Sequence, residues 1–309
     1  MNVVALSGGV GGARFLRGLV EVVDGERVTV VGNVGDDVDV LGLHVSPDLD
    51  SILYALTGLG DEERGWGRAE ETWHALATVA LLGGETWFRL GDRDLGLHLV
   101  RTQALRAGEP LSSVTARLAS AAGFPARLLP ATDDPLRTWL DTPAGAFPFQ
   151  EWFVARGHRD EVLDVDYRGA ERARPAPGVL EALAAAELIL LAPSNPYVSI
   201  RPILAVAGVR AALERRSVPA IAVSPLVDGR SVKGPADRML ARLAGGTDPV
   251  HVASCYAGLI DALIVDEADA ERADELRSVG VRPIVTRTLM HDRAARRRLA
   301  EAAVVAVAA

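Results

Sequence analysis

The sequence predicts an α/β protein built on a Rossmann-like, doubly wound and mostly parallel sheet. Two observations carry this prediction: short apolar runs recur along the chain, and helix-like segments such as Arg201–Arg216 and Ala270–Val279 separate most of them. Alternating strands and helices are typical of a parallel sheet covered on both faces. The predicted strands are Val3–Leu6, Val28–Val31, Leu188–Ala192, Ala220–Val223, Ala262–Val265 and Val281–Thr286.

The middle of the chain breaks this alternation. Residues from about 59 to 122 contain three helical patterns in a row, EETWHALATVALL, LGLHLVRTQALRAG and LSSVTARLASAAG. Residues from about 125 to 175 hold shorter mixed runs with proline and glycine, which favour a small β-rich insert. We therefore predict a single Rossmann-like domain over residues 1–309, with an inserted helical and β-rich subdomain at about 59–175.

Composition excludes several classes of function. The chain has 309 residues and a net charge of −8, which argues against non-specific binding to nucleic acid or to an anionic membrane. Its one cysteine, Cys255, allows no intrachain disulfide. No apolar run approaches the roughly 20 residues that span a bilayer, and the start of the chain does not resemble a signal peptide. We expect a cytoplasmic protein with no membrane or nucleic-acid partner.

The first predicted strand runs into the sequence SGGVGG, whose glycines are Gly8, Gly9, Gly11 and Gly12. A glycine turn lets the backbone approach a ligand and directs helix N–H groups toward an anion. Arg14 stands where the dinucleotide fingerprint needs its third glycine, and a Walker A loop would need Gly-Lys here. The turn predicts a phosphate site without the NAD or ATP signature. A tight turn with close helix packing would need the same glycines.

Acidic residues follow the second strand and begin the next predicted helix. Since ligands gather at the carboxyl ends of parallel strands, we expect these residues near the glycine turn. Carboxylates beside substrate phosphates suit Mg²⁺, and a carboxylate can orient or deprotonate an attacking hydroxyl. A solvated acidic turn and a helix cap are the alternatives. The candidates are Asp36, Asp37, Asp48 and Asp50.

Three further segments carry polar groups. The stretch from Arg89 to Arg101 contains Asp92, Arg93, Asp94 and His98, and its arginines suit phosphates and planar ligands. Ser194 and Asn195 follow an apolar strand in a turn between two prolines. Lys233 and Gly234 lie in a later glycine turn, and Lys233 is the only lysine among 33 basic residues. A salt-bridged helix start, a plain loop and a surface lysine are the respective alternatives.

Together these segments resemble the 2-phospho-L-lactate transferase family, CofD, in the family's order from Val3 to about Met290. The resemblance implies transfer of a phospho-lactyl or phospho-enolpyruvyl group from a GDP-linked donor to the ribityl hydroxyl of Fo, the 8-hydroxy-5-deazaflavin precursor. GMP leaves, and Mg²⁺ is the implied cofactor. The matching segments include SGGVGGARFL, NVGDD, SPDLDSILY, LGDRDLGLHLVRT, ATDDPLRT, FQEWFV and APSNPYVSIRPIL.

The resemblance also implies roles for individual residues. Asp50 and Arg93 are the implied catalytic residues, and both also belong with Arg89 and His98 to the implied substrate site. Departures from the family pattern are mild: Ser51 and Gly96 stand where threonine and alanine are common. The implied nucleotide and phosphate site comprises Gly8, Gly9, Gly11, Gly12, Ser194, Asn195, Lys233 and Gly234, and the implied metal ligands are Asp36, Asp37, Asp48 and Asp50.

Two other functions compete with this interpretation. A UDP-sugar-binding regulatory protein of the YvcK type would share the glycine turn and the acidic second turn, but we expect it to lack the GDRD and FQEWFV segments. An NAD(P) dehydrogenase would need the complete dinucleotide fingerprint, which Arg14 breaks.

The apolar, helix-rich insertion favours a homodimer.

Overall fold

The protein is described by a computed structural model that covers residues 1–306. The strands, in chain order, are β1 (Val3–Ser7), β2 (Val28–Gly32), β3 (Val38–Val40), β4 (Leu43–Val45), β5 (Arg127–Pro130), β6 (Arg137–Thr142), β7 (Gly145–Pro148), β8 (Asp164–Arg168), β9 (Leu188–Leu191), β10 (Ala220–Val223), β11 (Leu226–Val227), β12 (Arg230–Ser231), β13 (Ala262–Val265) and β14 (Arg282–Val285).

The α-helices are α1 (Gly9–Leu19), α2 (Pro47–Thr57), α3 (His74–Leu81), α4 (Asp92–Arg106), α5 (Leu111–Ala121), α6 (Val179–Ala185), α7 (Arg201–Ala205), α8 (Val209–Glu214), α9 (Ala236–Leu243), α10 (Pro249–Ser254), α11 (Ala273–Ser278) and α12 (Arg293–Val305). Short helical turns of other types occur at Gly25–Arg27, Glu151–Ala155, Pro196–Ile200 and Glu267–Arg272. No helix within residues 1–306 is long and apolar enough to cross a membrane.

The central sheet has seven strands in the order β14-β13-β10-β9-β1-β2-β5, and all its pairings are parallel. From β1 the chain builds toward β2 and β5 on one side, and later toward β9, β10, β13 and β14 on the other. The order therefore reverses between β1 and β9, and in open parallel sheets ligands bind at such a switch point. This topology confirms the predicted Rossmann-like α/β class.

The six predicted strands are confirmed to within one residue at each end. Their apolar runs are continuous because both faces of the sheet are covered, and every residue of β1, β9, β10 and β13 is buried. Burying one such aliphatic side chain contributes about 1.5–3 kcal/mol to folding. The sheet is thus a rigid base for the turns at its carboxyl edge.

One helix prediction needs correction. Arg201–Arg216 is not a continuous helix but two short ones, α7 and α8. The break occurs at Val206, whose backbone is extended, and Gly208, just before α8, has a left-handed φ of 80° that a continuous helix would not adopt. The segment therefore turns back along the sheet within a few residues.

The predicted insertion at 59–175 contributes to two parts of the molecule. Helices α3 to α5 confirm the three predicted helical patterns, and β6, β7 and β8 form a small antiparallel sheet. However, β5 lies inside the same stretch and forms the edge of the central sheet beside β2. This strand was not among the predicted strands of the central sheet, because RLLP is short and ends in proline.

Candidate functional site

The turns that follow β1 and β9 bind each other directly. Ser194 Oγ donates a hydrogen bond of 2.7 Å to the carbonyl of Gly8 and accepts one of 3.3 Å from the Gly8 N–H. Ser194 is buried. The predicted glycine turn and the predicted Pro-Ser-Asn-Pro turn therefore meet at the switch point of the sheet.

The glycines of this turn are required by neighbouring protein groups. A Cβ at Gly11 would lie 2.8 Å from the Pro193 carbonyl oxygen, and one at Gly12 would lie 2.6 Å from Ser194 Oγ. Gly9 begins α1 with a φ of +67°. Close helix packing thus explains the glycines. The first turn of α1 still presents amides, since those of Val10 and Gly11 have no acceptor among residues 1–306; phosphate binding at this turn stays a prediction.

Asp48 faces the glycine turn from the start of α2. Its carboxylate accepts hydrogen bonds from the Gly9 N–H at 2.7 Å and from Asn33 Nδ2 at 2.9 Å. Asn33 directly follows β2 and also donates to the Val198 carbonyl at 3.0 Å, so it links three turns at the switch point. Burial raises the pKa of Asp48 to about 6, although both hydrogen bonds oppose that shift.

Asp36 and Asp37 lie in the turn after β2, and both are buried. Asp37 Oδ2 accepts hydrogen bonds from Ser46 Oγ and His44 Nε2, each at 3.0 Å. The Oδ1 atoms of Asp36 and Asp37 have no hydrogen-bond partner among the described residues. Burial, and then repulsion from Asp48, raise the pKa of Asp36 well above its ordinary value.

Asp50, two residues after Asp48 in the first turn of α2, has a different environment. Arg101 from α4 binds both of its carboxylate oxygens, and His98 Nδ1 lies 3.9 Å from Asp50 Oδ2. Burial lowers the pKa of His98 to about 4, so the imidazole is neutral near pH 7. The negative charge of Asp50 is therefore balanced inside the protein by a buried guanidinium.

The inward-facing stripe of α4 was only partly predicted. Asp94, His98 and Arg101 are buried on one side of the helix. Asp94 accepts a hydrogen bond of 2.6 Å from Tyr54 Oη, and burial raises its pKa to about 6. The spacing of 94, 98 and 101 is the signal that could have selected Arg101 from the sequence, because residues three and four apart share a helix face.

The two predicted substrate arginines point elsewhere. Arg93 is exposed and forms a 2.9 Å ion pair with Glu70. The guanidinium of Arg89 lies 4.4 Å from the ring centroid of Trp73. Neither side chain has a hydrogen bond to the buried carboxylates among the described residues, so their contact with Fo or with the transferred phosphate stays a prediction.

The remaining predicted nucleotide residues flank the switch point. Asn195 accepts a hydrogen bond from the Tyr197 N–H at 2.9 Å, which fixes the start of the helical turn at Pro196–Ile200. Lys233 and Gly234 lie on an exposed loop before α9, and Lys233 Nζ contacts Gly65 from the loop after α2. Lys233 is therefore an exposed cation at the rim of the candidate site and not a buried anchoring residue.

The acidic residues do not by themselves form a complete metal site. Within residues 1–306, no group of three or more His, Cys, Asp or Glu side chains is arranged to hold a metal ion. Mg²⁺ usually takes only one or two carboxylates and completes its shell with substrate phosphates and water. The free Oδ1 atoms of Asp36 and Asp37 fit such a partial site, whereas both oxygens of Asp50 are bound by Arg101.

Comparisons with known proteins identify a family. A family model described as 2-phospho-L-lactate transferase CofD matches residues 3–306. A phosphoenolpyruvate transferase of Streptomyces coelicolor is 46% identical over 290 residues, covering 91% of this chain and 90% of the relative. A protein of the same name from Streptomyces griseus is 44% identical over 298 residues, covering 94% of each chain.

Solved structures show the same fold. A Bacillus halodurans protein has a TM-score of 0.66 at 18% identity, covering 98% of this chain and 99% of its own. A crystal structure of a member of the upf0052 family from that organism has a TM-score of 0.64 at 17% identity, covering 98% of both chains. At such low identity the likeness extends to the fold alone.

Proposed function

Because the chain belongs to the 2-phospho-L-lactate transferase family, CofD, we propose that it transfers a phospho-enolpyruvyl or phospho-lactyl group to the ribityl hydroxyl of Fo. The donor is a GDP-linked enolpyruvate or lactate, and GMP is released. The names of the relatives favour the enolpyruvyl donor, since those that match most of the chain are phosphoenolpyruvate transferases.

The reaction exchanges the phosphoanhydride bond of the donor for a phosphate ester bond to Fo. The ribityl oxygen forms a bond to the phosphorus that carries the organic acid, and the bond from that phosphorus to the GMP oxygen breaks. The hydroxyl proton passes to a base or to solvent, and GMP leaves as the anion. Positive charge near the diphosphate is needed because negative charge accumulates on the leaving group.

Two buried groups at the switch point suit this chemistry. The amides at the start of α1 and the Ser194 turn would bind the nucleotide phosphates, with Asn195 and Gly234 nearby and Lys233 supplying charge at the rim. Asp50, held by Arg101, would orient the ribityl hydroxyl or receive its proton. His98 stays neutral beside Asp50, and it would donate a hydrogen bond to Fo or accept one from it.

We propose that Mg²⁺ assists the transfer. When bound, the ion would neutralise the diphosphate and the leaving GMP. Asp36 and Asp37 would hold it through their unpartnered oxygens, with Asp48 adjacent. The bound cation would also offset the repulsion between these neighbouring buried carboxylates, which favours its binding.

The observation that carries the proposal is the match to the family over nearly the whole chain. The test incubates the protein with Fo, Mg²⁺ and each GDP-linked donor in turn, and follows GMP release together with the mass of the product. Equal GMP release without Fo would mean donor hydrolysis and would contradict transfer. No turnover with any donor, combined with tight binding of a UDP-sugar, would favour the YvcK-type regulatory alternative.

We also propose that the protein is a homodimer that pairs through α3. None of the residues of this helix is buried, and its last residue, Leu81, and the next residue, Leu82, are 85% and 81% exposed. A helix with this apolar surface and no acidic or basic side chain other than His74 suits the same surface of a second copy. Sedimentation of Leu81→Glu and of the exposed control Leu99→Glu tests it. Dimers of the first variant would overturn the proposal.

A further inference from the structure

A cavity lies beside α1, on the side of the helix that faces α12. It has a volume of about 120 Å³, several times the roughly 10–15 Å³ that one water molecule requires. Its walls come from α1, α2, the loop at 58–67 and the start of α12. Pro193, Ser194 and Ser199, which enclose the glycine turn, are not among its walls.

Arg296 is the unusual residue of this cavity. Arg296 is only 8% exposed, and its Nε has no hydrogen-bond partner among residues 1–306. A buried N–H without an acceptor is costly, because it gives up water and receives nothing in exchange. Burial and the neighbouring Arg17 lower the pKa of Arg296. The Nε–H of Arg296 therefore lacks an acceptor among the described protein groups.

Two more arginines line the same cavity. Arg17 is paired with Glu62, whereas no hydrogen bond or ion pair of the Arg14 side chain occurs in the described part of the chain. The Arg17 bond, and less strongly Arg296 and Arg14, hold the pKa of Glu62 below its ordinary value, which places all three cations around one carboxylate. The other acid of the wall, Asp61, is bound by Arg64.

The charge balance of the cavity is therefore positive. Three guanidinium groups face one carboxylate that only Arg17 engages directly. Lys233 adds a fourth cation nearby, since it contacts Gly65, and a Cβ at Gly65 would lie 3.6 Å from Arg14 Nη2. Arginine forks match the oxygens of phosphates and carboxylates in pairs.

We propose that this cavity is an oxyanion site beside the nucleotide phosphates, on the side of α1 that faces α12, in which Arg14 and Arg296 bind a phosphate group. The volume admits one tetrahedral oxyanion with ordered water rather than a nucleotide. The phosphate could be free or could belong to a small phosphorylated metabolite, and both present the same oxygens to the arginines.

The test measures binding of inorganic phosphate by isothermal titration, first to the protein alone and then to protein saturated with GDP. We expect phosphate to bind in both cases, because the nucleotide site of the proposed function is the glycine turn and not this cavity. Arg14→Gln and Arg296→Gln should each weaken phosphate binding by about tenfold or more, since each removes a charged hydrogen bond. Arg298→Gln, an exposed arginine on the same helix, should bind as the wild type does.

Titration with phosphoenolpyruvate separates the two sources of the phosphate. Tighter binding than inorganic phosphate that is lost in Arg14→Gln supports a phosphorylated metabolite, and equal binding supports free phosphate. Loss of phosphate binding in the presence of GDP would overturn the proposal, as would wild-type binding by Arg14→Gln. The half-buried Arg14 keeps the test valid if Arg296→Gln does not fold, which circular dichroism reports.

Discussion

Two groups of buried carboxylates lie near the carboxyl edge of the sheet, and they differ in how their charge is balanced. Asp50 is bound through both oxygens by Arg101 and forms a closed pair. Asp37 and Asp48 accept hydrogen bonds from backbone, amide, hydroxyl and imidazole groups rather than from an arginine, and Asp36 and Asp37 each keep one unpartnered oxygen. The closed pair is suited to positioning a substrate, and the open group is suited to receiving a cation from outside.

The largest effect is expected from Asp50→Asn, which tests whether the closed pair serves catalysis. The amide keeps one acceptor for Arg101, so the fold should survive, but it cannot take a proton from Fo. We expect kcat to fall by about 10²–10⁴-fold, measured by GMP release under saturating substrates. Wild-type turnover by a folded variant would remove Asp50 from the mechanism.

Arg101→Met tests the same pair from its other side. Removing the guanidinium leaves Asp50 buried and unpaired, which should cost about 3–5 kcal/mol in the free energy of unfolding at pH 7. Urea denaturation measures this loss. The double variant Asp50→Asn/Arg101→Met should recover part of it, and simple additivity of the two single changes would mean that the pair is not coupled.

His98 predicts a pH dependence for the closed pair. Its pKa is about 4 in the folded protein and ordinarily 6.5, so between these values only the unfolded chain binds the proton. Stability from this residue is complete above about pH 6.5 and is lost as the pH falls toward 4, amounting to about 3 kcal/mol. Urea unfolding of wild type and His98→Gln should therefore converge or cross as the pH falls. A constant difference between pH 7 and 4 would contradict it.

Asp48 predicts the opposite slope for the open group. Its pKa is about 6 in the folded protein and ordinarily 3.8, so the folded state holds the proton more tightly. Stability should fall by about 2–3 kcal/mol as the pH rises from 4 through 6, and Asp48→Asn should lack this decline.

Thermal unfolding at pH 7.5 should shift upward with Mg²⁺ in the wild type but not in Asp36→Asn/Asp37→Asn. An equal shift in both would place the ion elsewhere.

The smallest effect is expected from Lys233→Ala, because Lys233 lies on an exposed loop at the rim. Loss of one solvent-exposed charge should weaken GDP binding by about tenfold or less, with little change in Fo binding. Titration of the two ligands separately measures this split. An equal loss of both affinities would argue against a lysine on the nucleotide side.

The central sheet was predictable from the sequence because burial on both faces leaves continuous apolar runs such as LILL and AIAV. The open group was predictable in part, since Asp36, Asp37 and Asp48 follow a strand or begin the next helix. The closed pair was not predicted: the spacing of 94, 98 and 101 places Arg101 on one face of α4, but the sequence does not show that this face, rather than the face of Arg93, is the one that turns inward. That distinction depends on how α4 is rotated against α2, which is set by tertiary packing.

The bond between Ser194 and Gly8 joins residues 186 positions apart, and this separation constrains biosynthesis. When the ribosome has produced β1 and β2, one side of β1 is still unpaired, because its other neighbour, β9, begins at Leu188. The apolar edge of β1 therefore stays unpaired until more than half of the polypeptide has been synthesised. Such exposed edges favour self-association. We expect co-translational chaperones to improve the yield of this protein more than that of a sheet assembled in sequence order.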